Sequence, residues 1–137
     1  MAKPIIFLDT SILIDFLRKR SKANSYFKQL SLHNQFATSV IVKFETEIGL
    51  KTKLQTNEYL GIIGNITILP VDSACITQAV RLHAYLKQRN ARIGLADELI
   101  AATAIHYQLP VATLNAKHFA RIPHLRLVDL GSKKSSP

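Results

Sequence analysis

The chain has little cysteine and little acid: one cysteine, Cys75, and 9 acidic residues against 18 lysines and arginines in 137 positions. A single cysteine excludes an internal disulfide framework and a cysteine-rich zinc site. Cys75 lies in an apolar segment with helical spacing, so we expect it to be a small core residue. Because its thiol has no partner within the chain, a reducing cytosol is the natural compartment, and we expect a cytoplasmic protein.

Long hydrophobic runs are also absent. No uncharged apolar segment approaches the length that a membrane-spanning helix needs. The N-terminal segment is apolar, but Asp9 and Asp15 interrupt it, so it is a poor match to a signal peptide. The sequence also contains no internal repeat and no low-complexity segment. We therefore expect no membrane partner.

The composition that remains indicates one folded, basic domain. Hydrophobic residues make up 47% of the chain, too many for a disordered protein. We expect a single domain over residues 1–131 and a flexible polar tail over residues 132–137. The formal net charge of +9 favours an anionic partner. Nucleic acid is the first candidate, although an acidic protein would satisfy the same charge.

Short apolar segments alternate with helical patterns along the chain. We expect strands at 4–9, 36–38, 66–69, 110–113 and 125–128. We expect helices at 10–18, around 26–30, at 39–49, 57–63, 73–89 and 97–107, with a loop at 90–94 and a turn or short helix at 115–119. This alternation predicts an α/β fold with a small, mainly parallel sheet flanked by helices. In such sheets, ligands bind beyond the carboxyl ends of the strands.

Three acids lie at matching places in this pattern. Asp9 ends the first apolar run, Glu45 lies in the third helix, and Asp97 opens a later helix. Three carboxylates that converge would hold a hard divalent cation. In a basic protein, such a cation suggests hydrolysis of a phosphodiester.

Each acid also has a purely structural interpretation. Asp9 can cap the helix that follows it. Asp97 and Glu98 both interact favourably with a helix N-terminus, although the strongly apolar helix behind them places an acid close to the core. Glu45 and Glu47 are two residues apart and point in different directions, so spacing alone does not choose between them.

The third helix has a recognisable apolar pattern. Ile41, Phe44 and Ile48 share helical spacing, and we expect them to mark the side that faces the core. Further along, residues 113–119 follow a strand and offer hydroxyl, amide, ammonium and imidazole groups that suit a phosphate. A lone histidine such as His118 is more often a surface residue, and the five histidines show no zinc-ligand spacing.

Taken together, these segments resemble the PIN-domain family, and within it the VapC-type toxins of toxin–antitoxin pairs. The resemblance covers nearly the whole chain. It rests on FLDTSILIDFL at 7–17, SVIVKFETEIG at 39–49, DELIAATA at 97–104, VATLNAKHF at 111–119 and RIPHLRL at 121–127. Each motif is weak alone, whereas their order and ordinary spacing are specific.

The resemblance implies which residues form the site. Asp9, Glu45 and Asp97 match the metal-binding acids of the family. The resemblance thus selects Glu45 over Glu47 and Asp97 over Glu98, which spacing left undecided. Asn115 stands where many members carry a fourth acid, so a second metal ion is expected to bind more weakly. A further two residues, Ser11 and Thr113, match hydroxyl positions that help to orient water in the family.

The resemblance also implies a function. We expect a PIN-like fold and an endoribonuclease that uses Mg²⁺, with Mn²⁺ able to substitute, acting on RNA as a homodimer that a cognate antitoxin occludes. Arg92 and Lys117 are placed in sequence to help bind the RNA backbone. Two alternatives stay open: a PIN-like module that binds RNA or protein without cutting, and a PIN nuclease of RNA maturation.

Overall fold

A computed structural model describes residues 2–131. The predicted tail at 132–137 lies outside the described residues, and the domain boundary at 131 therefore stays a prediction. The strands are β1 (Ile5–Leu8), β2 (Gln35–Ser39), β3 (Ile66–Leu69) and β4 (Val111–Ala112). The α-helices are α1 (Thr10–Arg18), α2 (Tyr26–Ser31), α3 (Val40–Ile48), α4 (Lys53–Ile63), α5 (Ser73–Gln88), α6 (Leu95–His106) and α7 (Ala116–Phe119), and a 3₁₀ turn spans Lys22–Asn24.

The four strands form one parallel sheet in the order β3-β2-β1-β4. Phe7 and Leu8 of the inner strand β1 are fully buried, as expected of a strand that is covered on both faces. The carboxyl ends of all four parallel strands point to the same edge of the sheet. The predicted α/β fold with a parallel sheet between helices is confirmed.

Side-chain caps define several helix starts that the sequence indicated. The Ser39 hydroxyl accepts hydrogen bonds from the amides of Ile41 and Val42 and begins α3 directly after β2. The Asp72 carboxylate accepts from the Cys75 amide and begins α5. Because each cap satisfies amides that have no helical partner, it fixes where the chain turns from strand to helix.

Two predicted helix starts and one predicted strand are wrong. Helix α4 begins at Lys53 instead of 57, because Thr52 caps it through the Gln55 amide. Helix α6 begins at Leu95, after Gly94 with a φ of 101°, so that Asp97 lies in its first turn and does not open it. Residues 125–128 form no strand and make only an isolated parallel bridge between Leu127 and Val111. Strand β4 is only two residues long, so residues 125–128 cannot form a continuous ladder of hydrogen bonds with it.

The predicted core face of α3 is also wrong. Val42 and Thr46 are fully buried, whereas Phe44 and Ile48 are 64% and 68% exposed and Ile41 is only partly buried. The helix therefore buries the small β-branched side chains of Val42 and Thr46 and exposes the large apolar side chains of Phe44 and Ile48. This orientation determines which of its glutamates reaches the carboxyl edge of the sheet.

Within residues 2–131, no helix is both long and apolar enough to cross a membrane. This agrees with the absence of long hydrophobic runs in the sequence.

Candidate metal-binding site

Asp9 follows β1 at the carboxyl edge of the sheet and is 2% exposed. It occupies the N-cap position of α1, yet its side chain makes no capping hydrogen bond. Its Oδ2 atom instead accepts from the hydroxyls of Thr113, at 2.7 Å, and Ser11, at 2.9 Å. Asp9 is therefore the N-cap residue of α1 by position, but its carboxylate does not cap the helix. A buried carboxylate that is satisfied on one side only is suited to bind a cation with the other oxygen.

The two hydroxyls that hold Asp9 are themselves fixed by the backbone of the neighbouring strand end. The amide of Leu114 donates to Ser11 Oγ and the amide of Asn115 donates to Thr113 Oγ1, both at 2.9 Å. Because each oxygen accepts a backbone amide, its proton is directed towards the carboxylate. In this arrangement the two hydroxyls orient Asp9, and the role in orienting water that the resemblance implies for them stays a prediction.

Glu45 and Glu47 have different surroundings, although they are two residues apart on α3. Glu45 is half-buried, lines the same cleft as Asp9, and accepts a 2.6 Å hydrogen bond from Thr10 on its Oε1 atom. Glu47 is exposed and is bound by Lys43 and by the Tyr59 hydroxyl, each at 2.7 Å. The geometry therefore places Glu45 at the cleft and gives Glu47 a structural role.

Asp97 reaches the cleft from the first turn of α6 and is 27% exposed. Burial raises the pKa of its carboxyl, and the nearby negative charges of Asp9 and Glu45 raise it further. His118 on α7, with Nδ1 3.7 Å from Asp97 Oδ2, acts in the opposite direction and lowers that pKa. Asp9 and Glu45 therefore lie near enough to Asp97 for their charges to act on its carboxyl.

Glu98 points away from this group. It is 2% exposed and its Oε1 atom lies 2.8 Å from Nδ1 of His83 on α5. Of the two acids at the start of α6, only Asp97 lines the cleft.

The cleft has a volume of about 860 Å³ and opens to solvent. Asn115 lines it through its place at the start of α7, so the uncharged residue does stand beside the acids. Arg18 and Lys19, at the end of α1, line it as well. The sequence pointed instead to Arg92 and Lys117, neither of which is among the lining residues. The remaining lining residues are Thr10, Ser11, Ile14, Asp15, Ile48 and Leu114.

The acids fit a hydrated divalent cation. Among residues 2–131, the carboxylates of Asp9, Glu45 and Asp97 do not each bring an oxygen within 4.8 Å of the others. Mg²⁺ keeps several of its waters and is held through few carboxylates, so it tolerates this spacing, whereas a dehydrated ion does not. An ion between the acids would also relieve the repulsion that raises the pKa of Asp97.

A family model described as "PIN domain" matches residues 6–125. The chain belongs to the PIN domain family. Its match includes all four candidate site residues. PIN ribonucleases depend on metal, and the acidic cleft agrees with that property.

Curated relatives cover almost the same length. The chain is 34% identical over 130 residues to "Ribonuclease VapC2" of Rickettsia felis, which aligns 90% of this PIN protein with 96% of the relative. It is 31% identical over 133 residues to "Ribonuclease VapC" of Rickettsia bellii, with 93% and 98% of the two chains covered.

A solved structure shares the fold. The PIN protein superposes with a TM-score of 0.76 on a chain of VapBC2 from Rickettsia felis, solved bound to a DNA fragment from its promoter. That chain is 32% identical, and the superposition covers 90% of this protein and 97% of its neighbour.

Proposed function

We propose that this protein is a metal-dependent endoribonuclease that acts as the toxin of a VapBC-type toxin–antitoxin pair. The proposal rests on membership of the PIN family and on relatives, aligned over nearly their whole length, that are named ribonucleases. In a basic protein, an acidic cleft flanked by cations is suited to the backbone of RNA.

The arrangement of Asp9 supports this function best. A buried carboxylate is costly unless it is paired or hydrogen-bonded, and the two hydroxyls bind only one oxygen of Asp9, which is 2% exposed. Its Oδ1 atom accepts no hydrogen bond from any residue in the described range 2–131, and neither does Glu45 Oε2. These oxygens and the carboxylate of Asp97 would hold Mg²⁺, for which Mn²⁺ can substitute.

A bound divalent ion polarises a phosphoryl oxygen and lowers the pKa of water. The chain's own residues do the rest. Thr113 and Ser11 hold Asp9 in one rotamer, and Thr10 does the same for Glu45. Arg18 and Lys19 at the cleft rim bind phosphates of the RNA.

Asn115 contributes an amide where a carboxylate would add charge. Its carbonyl oxygen can ligate a cation, but weakly, so the site favours one tightly held ion. A second ion, where it participates, arrives with the substrate.

The partners are RNA, a cognate antitoxin and a second copy of the chain. Several of the solved neighbours are toxin–antitoxin complexes, including one from Klebsiella pneumoniae that is 28% identical. Large apolar side chains are exposed on α3, α5 and the start of α6 of the isolated chain, where protein partners can bind. These side chains are Val40, Phe44, Ile48, Ile76, Val80 and Leu95.

Cleavage by the purified protein tests the proposal. Labelled RNA oligonucleotides of mixed sequence are incubated with Mg²⁺, with Mn²⁺ or with a chelator, and the 5′ ends of the products are sequenced. We expect cleavage only with metal, and a loss of at least about 100-fold in Asp9→Asn. Addition of the antitoxin encoded beside the gene should abolish it.

Two outcomes would redirect the assignment. RNA binding without cleavage under all metal conditions favours the non-cutting module, for which Asn115 is the motivating feature. Cleavage without any effect of expression on growth favours a nuclease of RNA maturation. Cleavage that survives in both Asp9→Asn and Asp97→Asn contradicts the metal site itself.

A further inference from the structure

A second group of metal-ligating side chains lies away from the acidic cleft. Asp72 and Cys75 begin α5, and His106 ends α6. A carboxylate oxygen, the sulfur and an imidazole nitrogen of the three all lie within 4.8 Å of one another. Among residues 2–131, this is the one trio of His, Cys, Asp or Glu side chains that meets that distance.

The trio is separate from the proposed catalytic site. None of its members lines the acidic cleft. His106 follows Asp97 by nine residues on the same helix, which corresponds to about 14 Å along the axis. An ion at one site is therefore not an additional ligand of the other.

The three side chains have complementary positions. The Cys75 side chain is fully buried, its Sγ atom makes a long contact of 3.9 Å to the Pro70 carbonyl, and the Thr103 side chain also interacts with the thiol. Asp72 and His106 are exposed, so two of the three side chains are accessible from solvent. Asp72 uses Oδ1 to cap α5 through the Cys75 amide, so its Oδ2 can take another role. An ion can enter from solvent and meet a sulfur that is already in place.

Sulfur, imidazole and carboxylate form a ligand set typical of zinc. With bonds of about 2.0–2.3 Å, tetrahedral geometry separates ligand atoms by about 3.3–3.8 Å. The exposed side chains of Asp72 and His106 need small rotations to reach that spacing from the present 4.8 Å or less. Burial raises the pKa of the Cys75 thiol, so the metal-free side chain keeps its proton at neutral pH. Its place in the first turn of α5 favours the thiolate once an ion displaces that proton.

We propose that Asp72, Cys75 and His106 form a second metal site, which takes Zn²⁺ or a similar borderline ion and leaves a fourth position open. On binding, the Cys75 sulfur forms a bond to the ion and releases its proton to solvent. The ion then ties the beginning of α5 to the end of α6. Sequence spacing did not indicate this site, because His106 lies 31 positions after Cys75.

Cobalt substitution tests the site with a signal that the acidic cleft cannot give. Co²⁺ bound to a thiolate absorbs in the near ultraviolet by charge transfer, and carboxylates do not. Because Cys75 is the only cysteine of the chain, any such band reports on this residue. The reduced, metal-free full-length protein is titrated with Co²⁺ and then with Zn²⁺. We expect the band to saturate at one equivalent and to disappear as Zn²⁺ displaces Co²⁺.

Conservative variants separate ligation from folding. Asp72→Asn keeps a good helix cap but removes the charged ligand, and His106→Gln changes an exposed side chain. Each should weaken Co²⁺ binding at least about tenfold, while circular dichroism stays unchanged. Cys75→Ser should lose the band altogether, and the first two variants keep the test decisive if this one folds poorly. His33→Gln, which alters an exposed histidine outside the trio, is the matched control.

Two results would overturn the site. One is the absence of a charge-transfer band at stoichiometric Co²⁺ in reduced protein. The other is a band whose affinity is the same in wild type, Asp72→Asn and His106→Gln, because the sulfur would then bind cobalt without these partners. Both results leave metal-dependent RNA cleavage through Asp9 untouched, so the two proposals fail independently.

Discussion

At the scale of single residues, hydroxyl groups decide how the acids are presented. Thr113 and Ser11 together hold one oxygen of Asp9, and Thr10 holds one oxygen of Glu45. The second oxygen of each acid accepts no hydrogen bond from residues 2–131 and stays available to a cation. In a sequence, hydroxyl residues near an acid therefore help to identify the acids whose carboxylates are held in place.

Thr113→Val should weaken divalent metal binding and RNA cleavage by about 10–100-fold, because Asp9 loses the shorter of its two orienting hydrogen bonds. Valine keeps the volume and shape of the buried threonine, so the fold should persist. Calorimetric titration with Mn²⁺ and cleavage rates provide the measurements. Thr67→Val, on the exposed side of β3, is the control and should change neither. Equal metal affinity in both variants would contradict the orienting role.

Asp97→Asn should make the metal-free protein more stable at neutral pH. The pKa of Asp97 is raised in the fold, so its contribution to stability is fully present below its ordinary value of 3.8 and is lost as pH rises through the raised value. The uncharged amide avoids that loss. We expect a melting temperature a few degrees higher than that of wild type in chelator at pH 7, and no difference at pH 3.

Asp129→Asn, at an exposed position far along the chain from the cleft acids, is the matched control for this comparison. A lower melting temperature for Asp97→Asn at pH 7 would show that the carboxylate stabilises the fold and would remove the electrostatic argument for the cleft.

At the scale of secondary structure, the sequence predicted where most helices begin but not which face of each is covered. Ser39 and Asp72 are local signals, because a cap acts within its own turn. The burial of α3 depends on the sheet and helices around it, and Phe44 and Ile48 show that its most apolar face is open. In the same way, one bridge to Val111 replaces the predicted last strand, because β4 is too short to pair further.

Substitutions in α3 should distinguish the two faces. Val42→Ala should lower the free energy of unfolding by about 2 kcal/mol, because it leaves a cavity against the sheet. Phe44→Ala should change it by no more than about 0.5 kcal/mol, although a larger side chain is removed. Urea denaturation of the protein without antitoxin measures both. A larger loss for Phe44→Ala would mean that its side chain is covered in solution.

At the scale of the whole molecule, the basic residues differ in role: some make contacts within the fold and others line the acidic cleft. The net charge of +9 indicated an anionic partner but not where it binds. Within the basic run at 19–22, Lys22 is committed to structure, since it pairs with Glu58 at 3.0 Å and donates to the carbonyl of Phe16. Arg18 and Lys19 are the cations that line the acidic cleft.

Replacing Arg18 and Lys19 by glutamine should weaken RNA binding and its dependence on salt. Each phosphate contact with a single strand contributes about 0.7 to the slope of log affinity against log salt. The double variant should therefore lower that slope by about 1.4. Fluorescence anisotropy with labelled RNA measures it in an Asp9→Asn background, in which the RNA stays intact.

The double variant Arg92→Gln, Lys117→Gln is the matched control. It removes the same two positive charges, but from exposed residues that do not line the cleft. A greater effect of this second pair would place the RNA path outside the cleft and would favour the prediction that the sequence made.

The hydrogen bond between Asp9 and Thr113 joins residues that are 104 positions apart. During synthesis, Asp9 leaves the ribosome 104 positions ahead of the hydroxyl that orients it. A nascent chain that ends before this point lacks the shorter of the two hydrogen bonds that hold Asp9. The contacts that orient Asp9 can therefore be completed only after residue 113 has been translated.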